Sequence, residues 1–588
     1  MQDFSYNKKS TVFIMQFAIT IGLFSLIIKY FDIQIIKHQK YVAKSRSNSI
    51  RQVIKKAPRG IIYDRNGIAI VDNRPIFDLQ IIPEDINSGF DYKLFESITQ
   101  IDSNFIKNQL NAKIKSIYKF KPMTIKRHLG FIEMSRLKEN LLQFPGILFS
   151  EIPARIYPDS CQLSHTLGYL REVNLDQINS NTKSVYRYGD IIGTDGIEKQ
   201  YESSLRGLDG FEYHRVDKFG RDHGIIDDEI KYNKKSGAPL TLTIDSRLQF
   251  FAEKIMKNYK GALIAMNPVN GDVLSIVSTP QFDLTSFIGP IPYDTWSDWS
   301  NDISKPLNNR VLNGYYAPGS IFKIVTAAMI LETDRIHSSQ NYLCKGSYEY
   351  YDVNRHCWNL DGHGEVNLND AIKYSCNIYF YKAIQEFKLS EWYAMAEKFG
   401  FNSKTNIDLP NEFKGIVPDK KYMNDKYTSR GWARGNLLNF VIGQGEIITT
   451  PIQIVQFMNI ISTRGNTKVP HLVLDLESEK IDVKLENETW DFIKKSLYDV
   501  VNSDGGTGVN TKLYSGGVVS GKTGTVENPP NEPHSWFAGY LETEDDILTI
   551  AVIVENGGKG SATATPIAKE YFKKYLELSE VNSLSYDK

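Results

Sequence analysis

The sequence lacks an excess of either charge, because 69 lysine and arginine residues balance 69 aspartate and glutamate residues. A groove that binds nucleic-acid phosphates needs a basic excess, so no nucleic-acid partner is expected. Cysteine is also scarce: Cys161, Cys344, Cys357 and Cys376 are too few for a disulfide scaffold. Internal repeats and low-complexity tracts are absent, and 588 residues are too many for one hydrophobic core. The composition therefore predicts a globular protein of two or more domains.

Only one long hydrophobic run is present, and it lies near the amino terminus. No charged residue occurs from Ser10 to Ile28, and at about 1.5 Å per residue this run nearly spans a hydrocarbon core of about 30 Å. Lys8 and Lys9 precede the run, which favours a short cytoplasmic tail and an exported remainder. A cleaved signal peptide is the alternative, although no small-x-small cleavage site follows. We predict a cytoplasmic tail over residues 1–10 and a single membrane anchor over 11–31.

The pattern beyond the anchor predicts an α+β protein with two domains. Residues 32–235 begin with a helical stalk and mix strand and helix signals, with a lysine-rich amphipathic insertion over about 85–150. A polar, turn-rich stretch at 234–239 marks the boundary. Residues 236–580 have strands early, helices in the middle and strands late, followed by a short tail over 581–588. This order predicts an antiparallel sheet assembled from both ends of the domain, flanked by helices and a helical subdomain.

Three short motifs indicate chemistry: Ser320-Ile-Phe-Lys323, Ser375-Cys-Asn377 and Lys522-Thr-Gly524. A serine hydroxyl is a poor nucleophile without a neighbouring base, and residues three apart share a helix face. Lys323 could therefore activate Ser320 if its amine is partly neutral. Burial and a second cation, Lys522, would both lower the pKa of Lys323. Each motif alone would be unremarkable, but their order and spacing describe one active site.

The second and third motifs supply groups for a peptide substrate. The Ser375 hydroxyl can relay a proton, and the Asn377 amide can bind a peptide. Thr523 and Thr525, together with Lys522, suit a carboxylate through charge-assisted hydrogen bonds. The glycine of the third motif, Gly524, would let a substrate backbone lie close to the predicted strand.

These motifs make the chain similar to the class B penicillin-binding proteins, and among them to the elongation-type peptidoglycan D,D-transpeptidases. The resemblance covers nearly the whole chain and includes Arg59-Gly60, Asp64-Arg65, Gly196-Ile-Glu198, Pro318-Gly319, Gly443-Gln-Gly445-Glu446 and Val554-Glu-Asn-Gly-Gly558. It implies a transpeptidase domain that follows an elongated pedestal of the dimerisation type. It also implies attachment to the bacterial inner membrane, with the catalytic domain in the periplasm.

The resemblance implies a role for each motif residue. Ser320 would attack the D-alanyl-D-alanine bond of a stem peptide, with Lys323 as the base, Ser375 and Lys522 as proton relays, Asn377 on the substrate amide, and Thr523 and Thr525 on the terminal carboxylate. Backbone N–H groups of Ser320 and Thr525 would form the oxyanion hole. β-Lactams would acylate the same serine. No cofactor is required for this chemistry, and the implied partners are a RodA-type glycan polymerase and an MreC-like activator.

One departure from the family pattern concerns the cysteines. Cys376 stands inside the second motif, and Cys344, Cys357 and His363 lie within the preceding 32 residues. Three sulfurs and one imidazole suit a tetrahedral structural zinc site that would hold the Ser375–Asn377 segment from behind. A Cys344–Cys357 disulfide and buried free thiols are the alternatives.

Other functions use parts of the same pattern. A serine β-lactamase needs neither an anchor nor the preceding domain of about 200 residues, and a membrane β-lactam sensor normally needs several spans. A bifunctional synthase would need a glycosyltransferase domain, which residues 32–235 do not resemble. The division-type class B transpeptidase is the nearest rival. The Cys/His cluster and the Val554–Gly558 segment favour the elongation type.

Overall fold

The computed structural model describes residues 8–36, 50–86, 89–114, 122–158, 162–180, 186–217, 222–226, 232–289, 291–351, 353–428 and 431–586. Its helices, numbered α1 to α20 in chain order, are Lys8–Phe31, Tyr92–Thr99, Ser103–Ile114, Phe131–Glu139, Ser164–Leu167, Leu175–Ser180, Gly196–Gln200, Glu202–Leu205, Ser246–Met256, Tyr293–Asn301, Arg310–Asn313, Lys323–Thr333, Leu368–Lys373, Asn377–Ala383, Leu389–Lys398, Lys420–Lys426, Asn436–Phe440, Pro451–Ser462, Asn487–Asn502 and Ala564–Tyr586.

The strands, numbered β1 to β21, are Ile50–Lys55, Ile62–Tyr63, Ala69–Ile81, Met123–Leu129, Ile147–Ile156, Leu170–Glu172, Ile191–Gly193, Gly210–Val216, Asp222–Ile225, Leu240–Thr241, Gly261–Met266, Val273–Thr279, Tyr342–Cys344, Ser347–Tyr350, Val353–His356, Gly364–Val366, Asn466–Lys468, Lys480–Asp482, Val518–Asn528, Asn531–Glu542 and Ile547–Val554.

A five-stranded sheet organises the carboxy-terminal part of the chain. Its order is β12-β11-β21-β20-β19, and all four strand pairs are antiparallel. The predicted sheet built from both ends of the domain is confirmed. β11 and β21 are buried along almost their entire length, because helices cover both faces of the sheet. One long helix in the middle, α18, is buried at all twelve positions.

The chain divides into two compact units. The smaller unit comprises Met1–Pro58, Pro75–Ala154 and Gly207–Ser236. Within it, helices α2 to α4 and strands β3 to β5 enclose a separate hydrophobic core between Leu79 and Ile147. A core of its own is what an inserted subdomain needs in order to fold as a compact body.

The larger unit contains the five-stranded sheet and two segments from the amino-terminal half, Arg59–Arg74 and Arg155–Arg206. Both segments fall within the predicted pedestal, residues 32–235. Their apolar side chains, including Ile62, Leu163 and Ile197, belong to the large core of the sheet-containing unit.

A buried ion-pair network ties these two segments together. Glu198 is fully buried and accepts hydrogen bonds from Arg59 at 2.6 Å and from Arg155 at 2.8 Å. Arg59 also donates to Glu202 at 2.7 Å. The two arginines hold the pKa of Glu198 below its usual range against the effect of burial. The family-like residues Arg59 and Glu198 therefore have a structural role.

The amino-terminal helix matches the predicted anchor. Val12–Ile36 is one segment, within the described part of the chain, whose length and apolar composition suffice to cross a membrane. Its described side chains are exposed, except that of Asp32, which is half-buried. The predicted stalk over 35–50 falls largely on residues 37–49, which lie outside the described residues.

Candidate active site

Ser320 lies on a short turn that leads directly into a helix. The turn Gly319–Phe322 is 3-10 helical and α12 starts at Lys323, so Ser320 lies in the turn that precedes the α-helix. Gly319 has a φ of +57°, and a Cβ there would lie 2.9 Å from Val526 Cγ2. Its N–H donates to the Gly443 carbonyl at 2.9 Å. A glycine is therefore required at this position for the turn to sit against β19 and the Gly443 loop.

Lys323 is fully buried and points at the second motif. Its Nζ lies 2.7 Å from the Ser375 carbonyl oxygen, 2.8 Å from Asn377 Oδ1 and 3.1 Å from Ser375 Oγ. The first two atoms can only accept hydrogen bonds, so they consume two amine protons. Ser375 Oγ can donate as well as accept a hydrogen bond. A neutral Lys323 amine would therefore donate its two protons to the first two atoms and accept the Ser375 hydroxyl proton on its lone pair. The geometry suits a general base.

The electrostatics of Lys323 make the neutral amine accessible. Burial lowers the pKa of Lys323 to about 8, although the Cys357, Cys376 and Cys344 sulfurs act in the opposite direction. The predicted lowering of a lysine pKa by a second cation is found for Lys522, not for Lys323. The pKa of Lys522 is well below its ordinary value because the residue is buried and because Lys323 is positively charged nearby. Lys323 is thus poised to exchange protons near neutral pH, and the pKa of Lys522 is lowered in the same direction.

The second motif forms the turn between α13 and α14. Ser375 is a non-glycine residue with a φ of +55°, and its neighbour Cys376 donates its N–H to the Ala371 carbonyl at 2.9 Å. A left-handed conformation at a serine costs free energy that the surroundings must supply. Asn377 uses its amide oxygen for Lys323 and its NH₂ group for the His356 carbonyl at 3.1 Å. The turn is therefore held by contacts from several elements.

The third motif lies on β19, where alternate side chains face opposite sides of the strand. Lys522 is buried and donates to the Thr523 carbonyl at 3.1 Å. Thr523 and Thr525 face the cleft, and Thr525 Oγ1 accepts the N–H of Gly560 at 3.1 Å. With its oxygen occupied in this way, the Thr525 hydroxyl can direct its proton toward a ligand.

Gly524 has a packing role. A Cβ at Gly524 would lie 3.0 Å from Trp536 Cβ and 3.1 Å from the Pro318 carbonyl oxygen. The space beside this glycine is therefore taken by the turn that carries Ser320. Its predicted contact with a substrate backbone stays a prediction.

One cleft brings the three motifs together. It is lined by Ser320, His356, Cys357, Trp358, Ser375, Asn377, Ile442, Gln444, Thr507, Thr523, Thr525, Glu527, Lys559 and Ser561. Of the predicted residues, Lys323, Lys522 and Gly524 lie behind this surface rather than on it. The cleft therefore presents hydroxyls and an amide to a ligand and keeps both lysines under them.

Several cleft residues carry no sequence signal that identifies them. Thr507 is the clearest case: its hydroxyl lies 2.7 Å from Thr523 Oγ1, and its N–H donates to the Lys373 carbonyl at 3.4 Å. It comes from a glycine-rich loop after α19, a pattern too common to indicate a site. Gln444 lies within the Gly443–Glu446 segment. The family resemblance includes this segment but assigns no function to Gln444.

The predicted Cys/His cluster is present. One potential ligand atom from each of Cys344, Cys357, His363 and Cys376 lies within 4.8 Å of all the others. His363 Nδ1 is 3.6 Å from Cys344 Sγ and 3.5 Å from Cys357 Sγ. All three cysteines are buried free thiols, so the Cys344–Cys357 disulfide is not formed. The predicted lone residue Cys161 lies outside the described residues.

The cluster lies directly behind the cleft. Cys376 separates Ser375 from Asn377, and Cys357 itself lines the cleft between His356 and Trp358. The Cys376 thiol, by hydrogen bonding, holds the pKa of Cys357 well below its usual range. A sulfur that is readily deprotonated, together with one imidazole nitrogen, is the donor chemistry that a tetrahedral zinc ion takes.

Comparison with known proteins identifies relatives of both parts of the chain. Residues 261–573 match the penicillin binding protein transpeptidase domain, and residues 54–242 match the penicillin-binding protein dimerisation domain. The peptidoglycan D,D-transpeptidase MrdA of Acinetobacter baumannii is 28% identical over 99% of this chain and 90% of its own length.

Solved structures resemble this chain as well. PBP2 from Helicobacter pylori, in its complex with MreC, superposes with a TM-score of 0.77 at 28% identity, covering 90% of this chain and 99% of that one. PBP2 of Pseudomonas aeruginosa, in complex with WCK 5153, gives a TM-score of 0.69 at 26% identity, covering 89% and 96%.

Proposed function

The chain belongs to the penicillin-binding protein transpeptidase family and is a peptidoglycan D,D-transpeptidase of the elongation type, and we propose that it works through an acyl-enzyme on Ser320. The observation that carries this proposal is the contact of the buried Lys323 amine with Ser375 and Asn377 at 2.7–3.1 Å. These contacts, together with a pKa of about 8, support Lys323 as the base beneath the cleft that Ser320 lines.

In the proposed acylation step, Ser320 Oγ attacks the carbonyl carbon of the D-alanyl-D-alanine bond. The neutral amine of Lys323 takes the hydroxyl proton, the new C–O bond forms, and the C–N bond breaks. The proton passes through the Ser375 hydroxyl to the leaving nitrogen, with Lys522 in the same relay, and D-alanine departs. Thr523 and Thr525 hold the terminal carboxylate, and Asn377 holds a substrate amide.

Backbone donors stabilise the oxyanion of the intermediate in this proposal. The N–H groups of Ser320 and Thr525 are the two donors, and each oxyanion-hole donor supplies about 2.7–4 kcal/mol in other enzymes. The second step reverses the roles: an amine nitrogen of a neighbouring stem attacks the ester carbon, the amide forms, and the C–O bond to Ser320 breaks. A β-lactam enters by the first step and blocks the second.

The test is covalent labelling by penicillin. We expect intact-protein mass spectrometry to show one adduct on the wild-type chain after treatment with benzylpenicillin, with none on Ser320→Ala. Ser304→Ala, at a half-buried serine outside the cleft, is the matched control and should label normally. Labelling that persists in Ser320→Ala would contradict the assignment of the nucleophile. Rapid turnover of the adduct would indicate a β-lactamase.

The membrane and partner assignments are part of the same proposal. The Val12–Ile36 helix supports a single anchor that leaves the catalytic domain in the periplasm. We propose that the amino-terminal unit contacts a RodA-type polymerase and an MreC-like activator; PBP2 from Helicobacter pylori forms a complex with MreC. Deleting residues 85–150 should abolish the response to these partners. A deletion variant with a normal response would count against this role.

A structural zinc ion is proposed for the Cys/His cluster. The residues fit the ion, because three buried sulfurs and His363 Nδ1 converge within 4.8 Å and three thiols are free. Zinc supplies no step of the acyl transfer here and would hold the Ser375–Asn377 turn from behind. Metal analysis of the purified protein should find about one zinc per chain, and none in a variant with Cys344, Cys357 and Cys376 replaced by serine. Metal-free wild-type protein would overturn this assignment.

A further inference from the structure

The strand that carries the third motif continues into the cleft with a carboxylate. Thr523, Thr525 and Glu527 alternate along β19 and all line the cleft, whereas the intervening Val526 is buried. At about 3.4 Å per residue, Glu527 lies roughly 7 Å beyond Thr525 along the strand. The strand therefore presents two hydroxyls followed by one negative charge.

The ordinary alternation of side chains along β19 places Glu527 in this position, on the same side as Thr523 and Thr525. The pairing of β19 with β20 is irregular beyond Val526: Val526 pairs with His534 and Asn528 with Asn531, so two β20 residues lie opposite Glu527. Irregularities of this kind are frequent next to active sites.

Glu527 is exposed, and among the described residues no hydrogen bond or ion pair engages its carboxylate. It is also the one carboxylate among the described residues that line the cleft. The carboxylate is thus available to a ligand.

The chemistry of the second step identifies that ligand. By microscopic reversibility, the incoming amine approaches the ester carbon from the side on which the leaving amine departed. That side is marked by Thr523 and Thr525, which hold the carboxylate of the departing D-alanine in the proposed function. The acceptor is a primary amine, which carries a positive charge in water at neutral pH before it reacts. A carboxylate beyond Thr525 would attract it.

We infer that Glu527 recognises the ammonium group of the acceptor stem peptide and guides it to the acyl-enzyme. This inference rests on the proposed function and adds the residue that selects the second substrate. One ammonium proton is lost to solvent, the nitrogen then forms the amide bond as the ester bond to Ser320 breaks, and a second proton returns to Ser320 Oγ. Glu527 is a specificity residue here, and it makes no bond to the reacting carbon.

The test separates the acceptor step from acylation. The full chain is acylated with a D-alanyl thioester donor, and the ratio of aminolysis to hydrolysis is measured against the concentration of an N-acetylated stem tripeptide that carries one free primary amine. Glu527→Gln should raise the acceptor concentration needed for a given ratio by about two- to fivefold, the size typical of an exposed ion pair. Glu527→Lys should raise it by roughly tenfold, because like charges repel.

Two controls make the result decisive. Glu532→Gln removes an exposed carboxylate from β20 outside the cleft and should leave the ratio unchanged. The rate of acylation by benzylpenicillin, which needs no acceptor, should also be unchanged in Glu527→Gln. Higher salt should weaken the acceptor dependence of the wild type more than that of Glu527→Gln, because ions screen exposed charges.

An unchanged ratio in both Glu527 variants would overturn the inference. An equal loss of benzylpenicillin acylation would also overturn it, because Glu527 would then support the site as a whole. Failure of the proposed function would look different, since the wild-type chain itself would take no penicillin label.

Discussion

The two walls of the cleft are built by different means. The strand wall, β19, is held by a backbone ladder to β20 that runs in register from Val518 to Val526. The wall that carries Ser320 and the Ser375–Asn377 turn is held mainly by side chains, namely the Lys323 amine and the Cys/His cluster behind it. A backbone ladder tolerates many side-chain changes, whereas a wall held by a few buried groups depends on each of them.

The two buried lysines show the same contrast. Lys323 reaches three atoms of the second motif, whereas the Lys522 amine is hydrogen-bonded to the carbonyl of Thr523 on its own strand. Both pKa values are lowered by burial, but only Lys323 connects one active-site segment to another. Single substitutions should therefore disrupt the wall held by side chains more than the strand wall.

The largest effect is expected at Lys323. Lys323→Met should lower the rate of acylation by benzylpenicillin by about 10²–10⁴-fold, because a general base is lost and the Ser375 and Asn377 acceptors are left unpaired. Stopped-flow measurement with a fluorescent penicillin checks this rate. Lys382→Met, which removes a lysine from α14 in the same wall, should stay within about twofold. Similar losses in both variants would mean that the wall responds to any lysine removal.

Removing a cluster ligand should loosen the same wall. His363→Ala should reduce the free energy of unfolding by at least about 2 kcal/mol, since loss of a metal ligand is among the larger single-residue effects. For a unit of this size the midpoint of thermal unfolding should fall by about 2 °C or more, which calorimetry measures. His337→Ala, at an exposed histidine outside the cluster, serves as the control. Equal midpoints for the two variants would contradict a structural role for the cluster.

The strand wall should be sensitive where it meets the Ser320 turn. Gly524→Ala should cost about 1–3 kcal/mol of stability, because the added methyl meets the Trp536 and Pro318 atoms at 3.0–3.1 Å. Denaturant unfolding measures this loss, and acylation should slow with it as the turn moves. Gly130→Ala is the control, since its methyl would meet its nearest neighbour at 3.5 Å. If Gly524→Ala changed neither stability nor the acylation rate, the two walls would adjust independently of each other.

The pH dependence of the acylation rate should report the protonation state of Lys323, in the wall held by side chains. Only the neutral amine can accept the Ser320 proton, so the acylation rate should rise with pH and level off above the Lys323 pKa of about 8. At one pH unit below that value the rate should be about tenfold lower than the plateau. A pH–rate profile for benzylpenicillin measures this, and the Lys323→Met profile should be flat. A wild-type profile that falls as pH rises from 6 to 8 would exclude the neutral base.

The motif residues were predictable because local patterns carry them. The order of strands and helices predicts the antiparallel sheet. The spacing of Ser320, Lys323 and the other motifs predicts one site. The cysteine and histidine spacing also predicts the cluster that the structure contains.

Other features could not be predicted because they depend on contacts between distant segments. Thr507 is brought to Thr523 by the path of a loop, and nothing in its own neighbourhood indicates the 2.7 Å contact. Glu527 faces the cleft because the fold brings that side of β19 opposite the turns that carry Ser320 and Ser375. The inclusion of 59–74 and 155–206 in the larger unit depends on where their apolar side chains are buried.

The sequence by itself determined the chemical groups of this protein: the serine, the two lysines, the hydroxyls, the amide and the cysteines, because each follows a short-range pattern. The tertiary structure alone decided which of them meet. In the folded protein the Lys323 amine contacts Ser375 and Asn377. The positive charge of Lys323 lowers the pKa of Lys522. The turn that carries Ser320 occupies the space beside Gly524. The physical reason is that burial and side-chain contact are set by packing across the whole core, which no local pattern encodes.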